Sequence, residues 1–193
     1  MRTQRLTSIG FAFLVCLVCL NVARAQANVG KNVGYTSLVP EMINRELTTV
    51  DGSHLKLSDY ENRVIVLNLF APWCAPCRQN IWDLNRLRKQ YKTRIQVIGL
   101  VAQFNDPQKS ITSFADQLKI NFPVIWDDID FSESLHKLID GLDVLPQTFV
   151  IDNQYRIRKH FMGFNSKSTP QVLRKTLDAI GRERRSKKRT GSS

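Results

Sequence analysis

Hydrophobic residues recur along this chain with two different periods, which predict strands alternating with helices. The continuous apolar runs "VIVLNLF" and "RIQVIGLVA" are typical of strands that are buried on both faces. Between them, from Ala75 to about Tyr91, apolar residues recur at helical spacing. This segment is therefore predicted to be a helix that packs on the sheet.

The rest of the pattern predicts shorter elements. A hairpin is predicted in "ELTTVDGSHLKLSDY", around the turn dipeptide Asp51-Gly52. Strands are predicted in "FPVIWD", "QTFVID" and "IRKHFMGF", and a helix in "SESLHKLIDGL". Another helix, in "DPQKSITSFADQL", should have Asp106 as its N-cap and Pro107 at its first position, and the last should run from Thr169-Pro170 to a C-cap at Gly181. This alternation predicts an α/β fold with a central mixed sheet.

The first 25 residues have the layout of a secretory signal peptide. Arg2 and Arg5 precede the apolar block "IGFAFLVCLVCL", and the small residues of "ARA" follow it. The block is shorter than the roughly 20 residues that a membrane-spanning helix needs. We therefore expect residues 1–25 to be a cleaved signal peptide and the protein to be exported, with the periplasm as the predicted compartment. An uncleaved membrane anchor is the alternative.

The net positive charge of the chain is concentrated at its two ends. The net charge of +11 includes three arginines in the signal peptide, whose removal leaves +8. The stretch "GRERRSKKRTGSS" carries six basic residues and one acid. Such a run is typical of a solvated end, so we expect a basic disordered tail at 182–193, after a lead segment at 26–44 and one domain at 45–181. The tail is suited to an anionic membrane surface, and no nucleic-acid partner is expected.

Two cysteines, Cys74 and Cys77, remain once the signal peptide has left with Cys16 and Cys19. Two cysteines cannot complete a four-ligand structural zinc site. A disulfide across so short a loop would constrain the unfolded chain little. A single Cys-x-x-Cys pair in an exported protein therefore favours a redox pair.

The two cysteines are expected to differ in reactivity. Cys74 lies at or just before the helix N-terminus, where free N–H groups and the helix dipole favour a thiolate, so we expect it to be an exposed nucleophile. Cys77 falls one turn into the helix and is expected to be a more buried, resolving thiol. Pro76 is compatible with the first helical turn, where no N–H is needed.

The segment "NLFAPWCAPCR" resembles the active-site segment of the thioredoxin superfamily. The longer pattern, with "VIGLVAQFNDPQKSITSFADQLKINFPVIWD" and "GLDVLPQTFVIDNQYRIRKHFMGF", resembles the exported TlpA-like, ResA-like and CcmG-like thiol–disulfide oxidoreductases over roughly 47–180. The resemblance implies a thioredoxin-like fold, with a central mixed β-sheet flanked by helices and an N-terminal β-hairpin. It also implies an extra strand-helix insertion between the active-site helix and "LPQTF".

The resemblance implies roles for residues around the cysteines. Pro146 would follow a cis bond and pack against the disulfide, Leu145 would offer backbone hydrogen bonds to a bound partner, and Trp73 would form a lid beside the nucleophile. Two positions depart from the pattern. Asn68 stands where cytoplasmic thioredoxins carry a buried acid, and Asn80 stands where many relatives carry a glutamate. Both departures bear on proton transfer at the resolving thiol.

The predicted function is reduction of protein disulfides by Cys74 attack and Cys77 resolution. The dipeptide Ala75-Pro76 is nearer to the Gly-Pro of thioredoxin than to the Pro-His of an oxidant, which favours a reductase. The implied partners are disulfide-containing protein substrates, apocytochrome c among them, and a membrane thiol donor of the DsbD or CcdA type. No cofactor and no metal are expected.

The sequence leaves three alternatives to the reductase. A Cu(I)-binding metallochaperone could use the two thiolates with His160 as a further ligand, although that histidine is expected on the sheet surface. A thiol oxidase or disulfide isomerase would use the same pair in the opposite direction. A peroxiredoxin-type peroxidase is disfavoured, because it would need a threonine where this chain has Ala71.

Overall fold

A computed structural model of the chain describes residues 36–102, 107–126, 128–138 and 144–190. The predicted signal peptide, the first part of the lead segment and the predicted N-cap Asp106 lie outside these residues. Within them, no helix combines the length and the apolar character needed to cross a bilayer.

Seven strands and five α-helices are found in the described part of the chain. The strands are β1 (Leu47–Thr48), β2 (His54–Leu55), β3 (Val64–Phe70), β4 (Ile95–Val101), β5 (Val124–Ile125), β6 (Gln147–Ile151) and β7 (Ile157–Met162). The helices are α1 (Pro40–Asn44), α2 (Ala75–Tyr91), α3 (Gln108–Gln117), α4 (Ile129–Leu138) and α5 (Thr169–Thr190). Short 3-10 turns at Leu57–Tyr60 and Lys92–Arg94 precede β3 and β4.

Five strands form the central sheet, in the order β5–β4–β3–β6–β7. β3, β4 and β5 run parallel, whereas β6 is antiparallel to both β3 and β7. β1 and β2 form a separate antiparallel hairpin. Its turn contains Gly52, whose φ of 82° favours glycine. The mixed sheet and the N-terminal hairpin confirm the predicted architecture, and β5 and α4 lie where the extra strand-helix insertion was predicted.

The sheet separates two hydrophobic clusters. Val64, Val66 and Phe70 of β3 face α2, α3 and α5. The intervening residues of β3 face α1, the hairpin and α4, because successive side chains of a strand point to opposite faces. All seven residues of β3 are buried, as its predominantly apolar run predicted.

The segment 36–50 hydrogen-bonds to both edges of the sheet. At one edge, the N–H of Val50 donates to the carbonyl of Val124 at 2.8 Å. At the other, the N–H of Ile157 donates to the carbonyl of Thr36 at 2.8 Å. The N-terminal segment therefore extends the sheet at β5 and at the first residue of β7.

Two helices begin at positions that differ from the predicted ones. Pro107 is the N-cap residue of α3 rather than its first helical residue. α4 begins at Ile129, before the predicted start at Ser132. The reason is that the carboxylate of Asp128 accepts the N–H of Phe131 at 2.8 Å and so caps the helix one turn earlier.

The last helix, α5, corrects two predictions. Leu173 and Leu177 are buried on its inner face as expected, each 3% exposed. However, the helix does not end at Gly181 but continues to Thr190. Residues 182–190 are therefore helical, and the expected disordered tail is wrong for this stretch.

Two long-range contacts hold the extension of α5 against the domain. Arg158 on β7 donates hydrogen bonds of 3.0 and 2.9 Å to the two carboxylate oxygens of Glu183. Arg184 donates from Nη1 to the carbonyl of Asn62 at 3.0 Å. Because the partners lie far apart in the sequence, the local pattern around Gly181 did not reveal them.

Candidate active site

Cys74 and Cys77 lie where β3 is followed by α2. They are joined by a disulfide, with their Cα atoms 5.3 Å apart. Cys74 is the N-cap residue of α2, and Pro76 lies within the first turn, where its missing N–H costs nothing. The N–H of Cys77 donates to the carbonyl of Cys74 at 3.1 Å. The pair is thus held at the positive end of the helix dipole, which favours a thiolate.

Both cysteines are buried, although not equally. Cys74 is 5% exposed and Cys77 is 0% exposed. The expectation of an exposed Cys74 is therefore wrong, because the disulfide belongs to the hydrophobic cluster under α2. The expected order of exposure holds, so Cys74 is the more accessible of the two.

Electrostatics around the helix N-terminus also favour a thiolate. α2 has no acidic residue in its first turn. The guanidinium carbon of Arg78 lies 4.9 Å from the ring centroid of Phe114 on α3. This cation–π arrangement holds the positive charge against the hydrophobic cluster that contains both cysteines. A fixed positive charge near the pair lowers the free energy of the thiolate relative to the thiol.

The loop before β6 contacts the cluster that contains the cysteines. The Leu145–Pro146 bond is cis, as the resemblance implied, and Leu145 packs against that cluster. The carbonyl of Pro146 accepts the N–H of Gly163 at 2.8 Å, which ties the loop to the end of β7. Val144 and Trp73 are 52% and 67% exposed. The roles of Trp73, Leu145 and Pro146 toward a bound partner stay a prediction.

A buried polar network lies beneath the helix that carries Cys77. Asn68 is 0% exposed, and its Nδ2 donates to the carbonyl of Gln147 and to Oγ1 of Thr148, both at 3.0 Å. Asn80 is 2% exposed, and its Nδ2 donates to the same Oγ1 at 3.1 Å. Asn80 follows Cys77 by one turn and so shares its helix face. Neutral side chains therefore connect the helix of the resolving cysteine to β3 and β6.

Asn68 and Asn80 occupy the two positions at which proteins of similar sequence carry an acidic residue. An amide does not titrate, so neither can accept a proton from Cys77. Sequence reasoning missed Thr148, which receives hydrogen bonds from both amides. The one available signal was Asn68, since a polar side chain inside an apolar strand must find a buried partner. That signal does not say which residue the partner is.

His160, the candidate copper ligand, lies on the opposite face of the sheet from the cysteines. It pairs with Phe149 across β6 and β7, and their rings stack with centroids 4.3 Å apart. Phe149 belongs to the cluster on the α4 side of the sheet. His160 is 3% exposed, with Nε2 2.7 Å from Oε1 of Gln147, so the expectation of a surface histidine is wrong. Among the described residues, no group of three or more His, Cys, Asp or Glu side chains is placed to hold a metal ion.

Comparison with known proteins assigns this arrangement to a family. The model of the AhpC/TSA family matches residues 40–160, which is more than half of the chain. This chain belongs to the AhpC/TSA family. The matched region begins with α1, reaches into β7 and includes both cysteines.

Relatives of this AhpC/TSA family member carry consistent names. The thiol-disulfide oxidoreductase ResA of Geobacillus thermodenitrificans is 27% identical over 149 residues, which cover 77% of this chain and 79% of ResA. A Chlorobium tepidum structure described as a DsbE-type thiol:disulfide interchange protein superposes with a TM-score of 0.64 at 24% identity, covering 76% of this chain and 96% of that one. A secreted thiol-disulfide isomerase from Corynebacterium glutamicum gives 0.60 at 26% identity, with 70% and 84% covered.

These comparisons confirm the resemblance and the thioredoxin-like fold. At the level of enzyme class, the chain is a thioredoxin-like thiol–disulfide oxidoreductase.

Proposed function

We propose that this chain is an exported reductase of protein disulfides, with Cys74 as the nucleophile and Cys77 as the resolving thiol. The observation that carries the proposal is the disulfide at the N-terminus of α2, in which Cys77 is completely buried and Cys74 keeps some exposed surface. The more accessible thiolate, at the helix N-terminus, is suited to attack, and the completely buried thiol one turn later is suited to resolution.

The proposed reaction conserves thiols and disulfides. The Cys74 thiolate attacks one sulfur of the substrate disulfide, forms a mixed disulfide and releases the other substrate sulfur as a thiolate, which takes up a proton. Cys77 then loses its proton and attacks the Cys74 sulfur, which breaks the mixed disulfide. The substrate leaves with two thiols, and the enzyme keeps the Cys74–Cys77 disulfide.

The oxidised enzyme needs two electrons to return to the dithiol. We assign their supply to a membrane thiol donor of the DsbD or CcdA type, and apocytochrome c is a proposed substrate. The reductive direction is supported by Ala75-Pro76 between the cysteines, which is closer to thioredoxin than to an oxidant.

Export to the periplasm is part of the proposal. It is supported by the signal-like pattern of residues 1–25 and by a relative that is described as secreted. An uncleaved anchor remains the alternative form of the N-terminus. The proposal also includes contact between the basic C-terminal residues and an anionic membrane surface.

Selective alkylation and trapping test the roles of the two cysteines. In the reduced protein at neutral pH, Cys74 should react with iodoacetamide far faster than Cys77, which mass spectrometry of the labelled peptides resolves. Cys77→Ala should accumulate mixed disulfides with substrates, while the matched variant Cys74→Ala should trap few. Equal labelling of both thiols in the folded protein would contradict the assignment of Cys74 as the nucleophile.

A thiol oxidase or disulfide isomerase is the second candidate, because one relative of similar fold is described as a thiol-disulfide isomerase. The reduction potential of the pair separates the two directions. A value of about −270 mV, at the thioredoxin end, supports the reductase, and a value of about −120 mV supports the oxidant.

A further inference from the structure

The end of the sheet opposite the disulfide carries a groove that is rich in basic side chains. Val64 and Ile95, the first residues of β3 and β4, line this groove of about 400 Å³ together with the inner side of the α5 extension. Five basic side chains line it, with Asp178 as the one carboxylate among the lining residues that the structure describes. The basic ones are Arg94, Arg182, Arg184, Arg185 and Lys188.

The single carboxylate offsets only one of the five positive charges that line this groove. Asp178 accepts the hydroxyl hydrogen of Tyr91 at 2.9 Å. In the described part of the chain, no carboxylate oxygen lies within 4.0 Å of a charged nitrogen of Arg182, Arg185 or Lys188. The charge of these three side chains is therefore available to an external anion.

The positive charge continues beyond the groove onto the end of α2. A neighbouring depression, which shares Ile95 with the groove, is lined by Arg88 and Lys92 among other residues. We call the following six residues the basic band: Arg88, Lys92, Arg94, Arg182, Arg185 and Lys188. The band combines the end of α2, the 3-10 turn that follows it and the extension of α5. It is therefore broader than a single charged helix face.

The basic band and the disulfide lie at opposite ends of β3. β3 has seven residues, and at about 3.3 Å per residue its ends are roughly 20 Å apart. The groove lies at Val64, whereas the cysteines follow Phe70. Thr36, the first residue that the structure describes, bonds to the first residue of β7 at the same end as the groove. The connection toward the predicted signal segment and the basic band are thus at one end, and the redox site is at the other.

We propose that the basic band docks on the anionic phospholipid surface of a membrane, which leaves the disulfide pointing away from the bilayer. This inference deepens the membrane contact included in the proposed function. A lipid surface fits better than a single-stranded nucleic acid, because proteins that bind single strands stack the bases on exposed aromatic side chains. Tyr91, the aromatic residue among the described lining residues, is only 5% exposed. The exposed tryptophans, Trp73 and Trp82, are not among the lining residues described for these depressions.

Vesicle binding by the full chain tests the proposal. The chain is mixed with vesicles of phosphatidylcholine alone or of phosphatidylcholine with phosphatidylglycerol, and the bound fraction is measured by sedimentation at several salt concentrations. Because an apolar N-terminal segment would bind both kinds of vesicle, the ratio of the two affinities isolates the electrostatic contribution. We expect a preference for anionic vesicles that weakens as salt rises.

Two matched triple variants test whether the basic band causes the preference for anionic vesicles. Each basic residue near an anionic surface strengthens binding about fivefold, so the triple variant Arg182→Gln, Arg185→Gln, Lys188→Gln should lose about a hundredfold of the preference. The control triple variant Lys109→Gln, Lys137→Gln, Lys167→Gln removes the same charge from exposed positions outside the band and should keep most of it. Glutamine has a helix propensity close to those of arginine and lysine, so both should fold.

Several results would overturn the proposal. They are equal binding of the wild-type chain to both kinds of vesicle, an equal loss in both triple variants, or tighter binding to a single-stranded oligonucleotide than to anionic vesicles. The rate at which dithiothreitol reduces the disulfide should be the same on and off the vesicles, and slower reduction on the vesicles would contradict the orientation. Insulin reduction is measured separately, so failure of lipid docking is distinguishable from failure of the redox function.

Discussion

The substitution Asn80→Asp places an ionisable group beside the resolving cysteine with almost no change in shape. Asn80 is 2% exposed and donates to Thr148 Oγ1 at 3.1 Å. An introduced carboxyl at this site would be cut off from water. It would therefore be more stable in its neutral, protonated form than it is in the unfolded chain.

The size of the effect follows from burial and from the hydroxyl of Thr148, which is hydrogen-bonded to Asn80. Complete burial raises a carboxyl pKa by up to about 3–5 units. The hydroxyl of Thr148 can donate to the carboxylate and reduces this shift, so we expect about 2 to 3 units above the unfolded value of about 3.9. At about 1.4 kcal/mol for each unit, the variant should lose about 3 to 4 kcal/mol of unfolding free energy between pH 4 and pH 8.

The unfolding free energy of the variant should fall as the pH rises. The folded pKa is raised, so the stability of the variant is fully present below about pH 4 and is lost as the pH rises through about 6 to 7. Urea unfolding of the oxidised protein at several pH values measures this loss, and the disulfide ensures that the cysteines do not titrate. In the reduced variant, the thiol pKa values should lie above those of the wild type and titrate as a coupled set.

Gln79→Glu is the matched control for this experiment. Residue 79 is the neighbour of Asn80 on α2 and is exposed. The unfolding free energy of the control variant should therefore stay within about 0.5 kcal/mol of the wild-type value at every pH. If Asn80→Asp shows the same small, pH-independent difference as this control, position 80 is solvated and does not belong to a buried amide network.

Three further expectations concern the core and the sheet ends. Asp152→Asn should cost about 3 kcal/mol of unfolding free energy at neutral pH. Burial opposes ionisation of Asp152, but hydrogen bonds from the Arg156 side chain and from backbone N–H groups hold its pKa below the usual value. The stability difference from the wild type, measured by urea unfolding, should therefore shrink in acid. Gly99→Ala should cost about 1–3 kcal/mol, since a Cβ would lie 2.9 Å from Phe70 Cε1, and an unchanged melting temperature would contradict this packing. Burial and the hydrogen bond to Asp178 raise the pKa of Tyr91 to about 12, so an alkaline absorbance titration should show a late phenolate step that Tyr91→Phe removes.

The elements with strong local signals could be predicted from the sequence. The predicted helix from Ala75 to about Tyr91 has the observed bounds of α2, because its apolar spacing is regular over four turns and a cysteine precedes it at the N-cap. β3 was equally well marked by its run of apolar residues, which only Asn68 interrupts. These two elements position the cysteine pair, so the core of the candidate site was predictable as well.

The features that depend on residues far apart in sequence were not predictable. Asn68 meets Thr148 across 80 positions, and nothing in "PQTFVID" marks that threonine as a buried acceptor. The α5 extension is held by Arg158, which lies 25 positions before Glu183. Its run of basic residues, considered alone, looks like a solvated end.

The hydrogen bonds from residues 36–50 to both edges of the sheet have a consequence for self-association. An edge strand with free N–H and C=O groups is a template for pairing with another molecule. Here β5 is only two residues long and is paired on its outer side, and β7 is joined at its first residue. The covering segment is synthesised before every strand that it covers, yet it can bond to β7 only after the last strand has formed. Until its N-terminal segment has paired with β5 and with the start of β7, each newly made molecule is therefore more open to edge-to-edge aggregation.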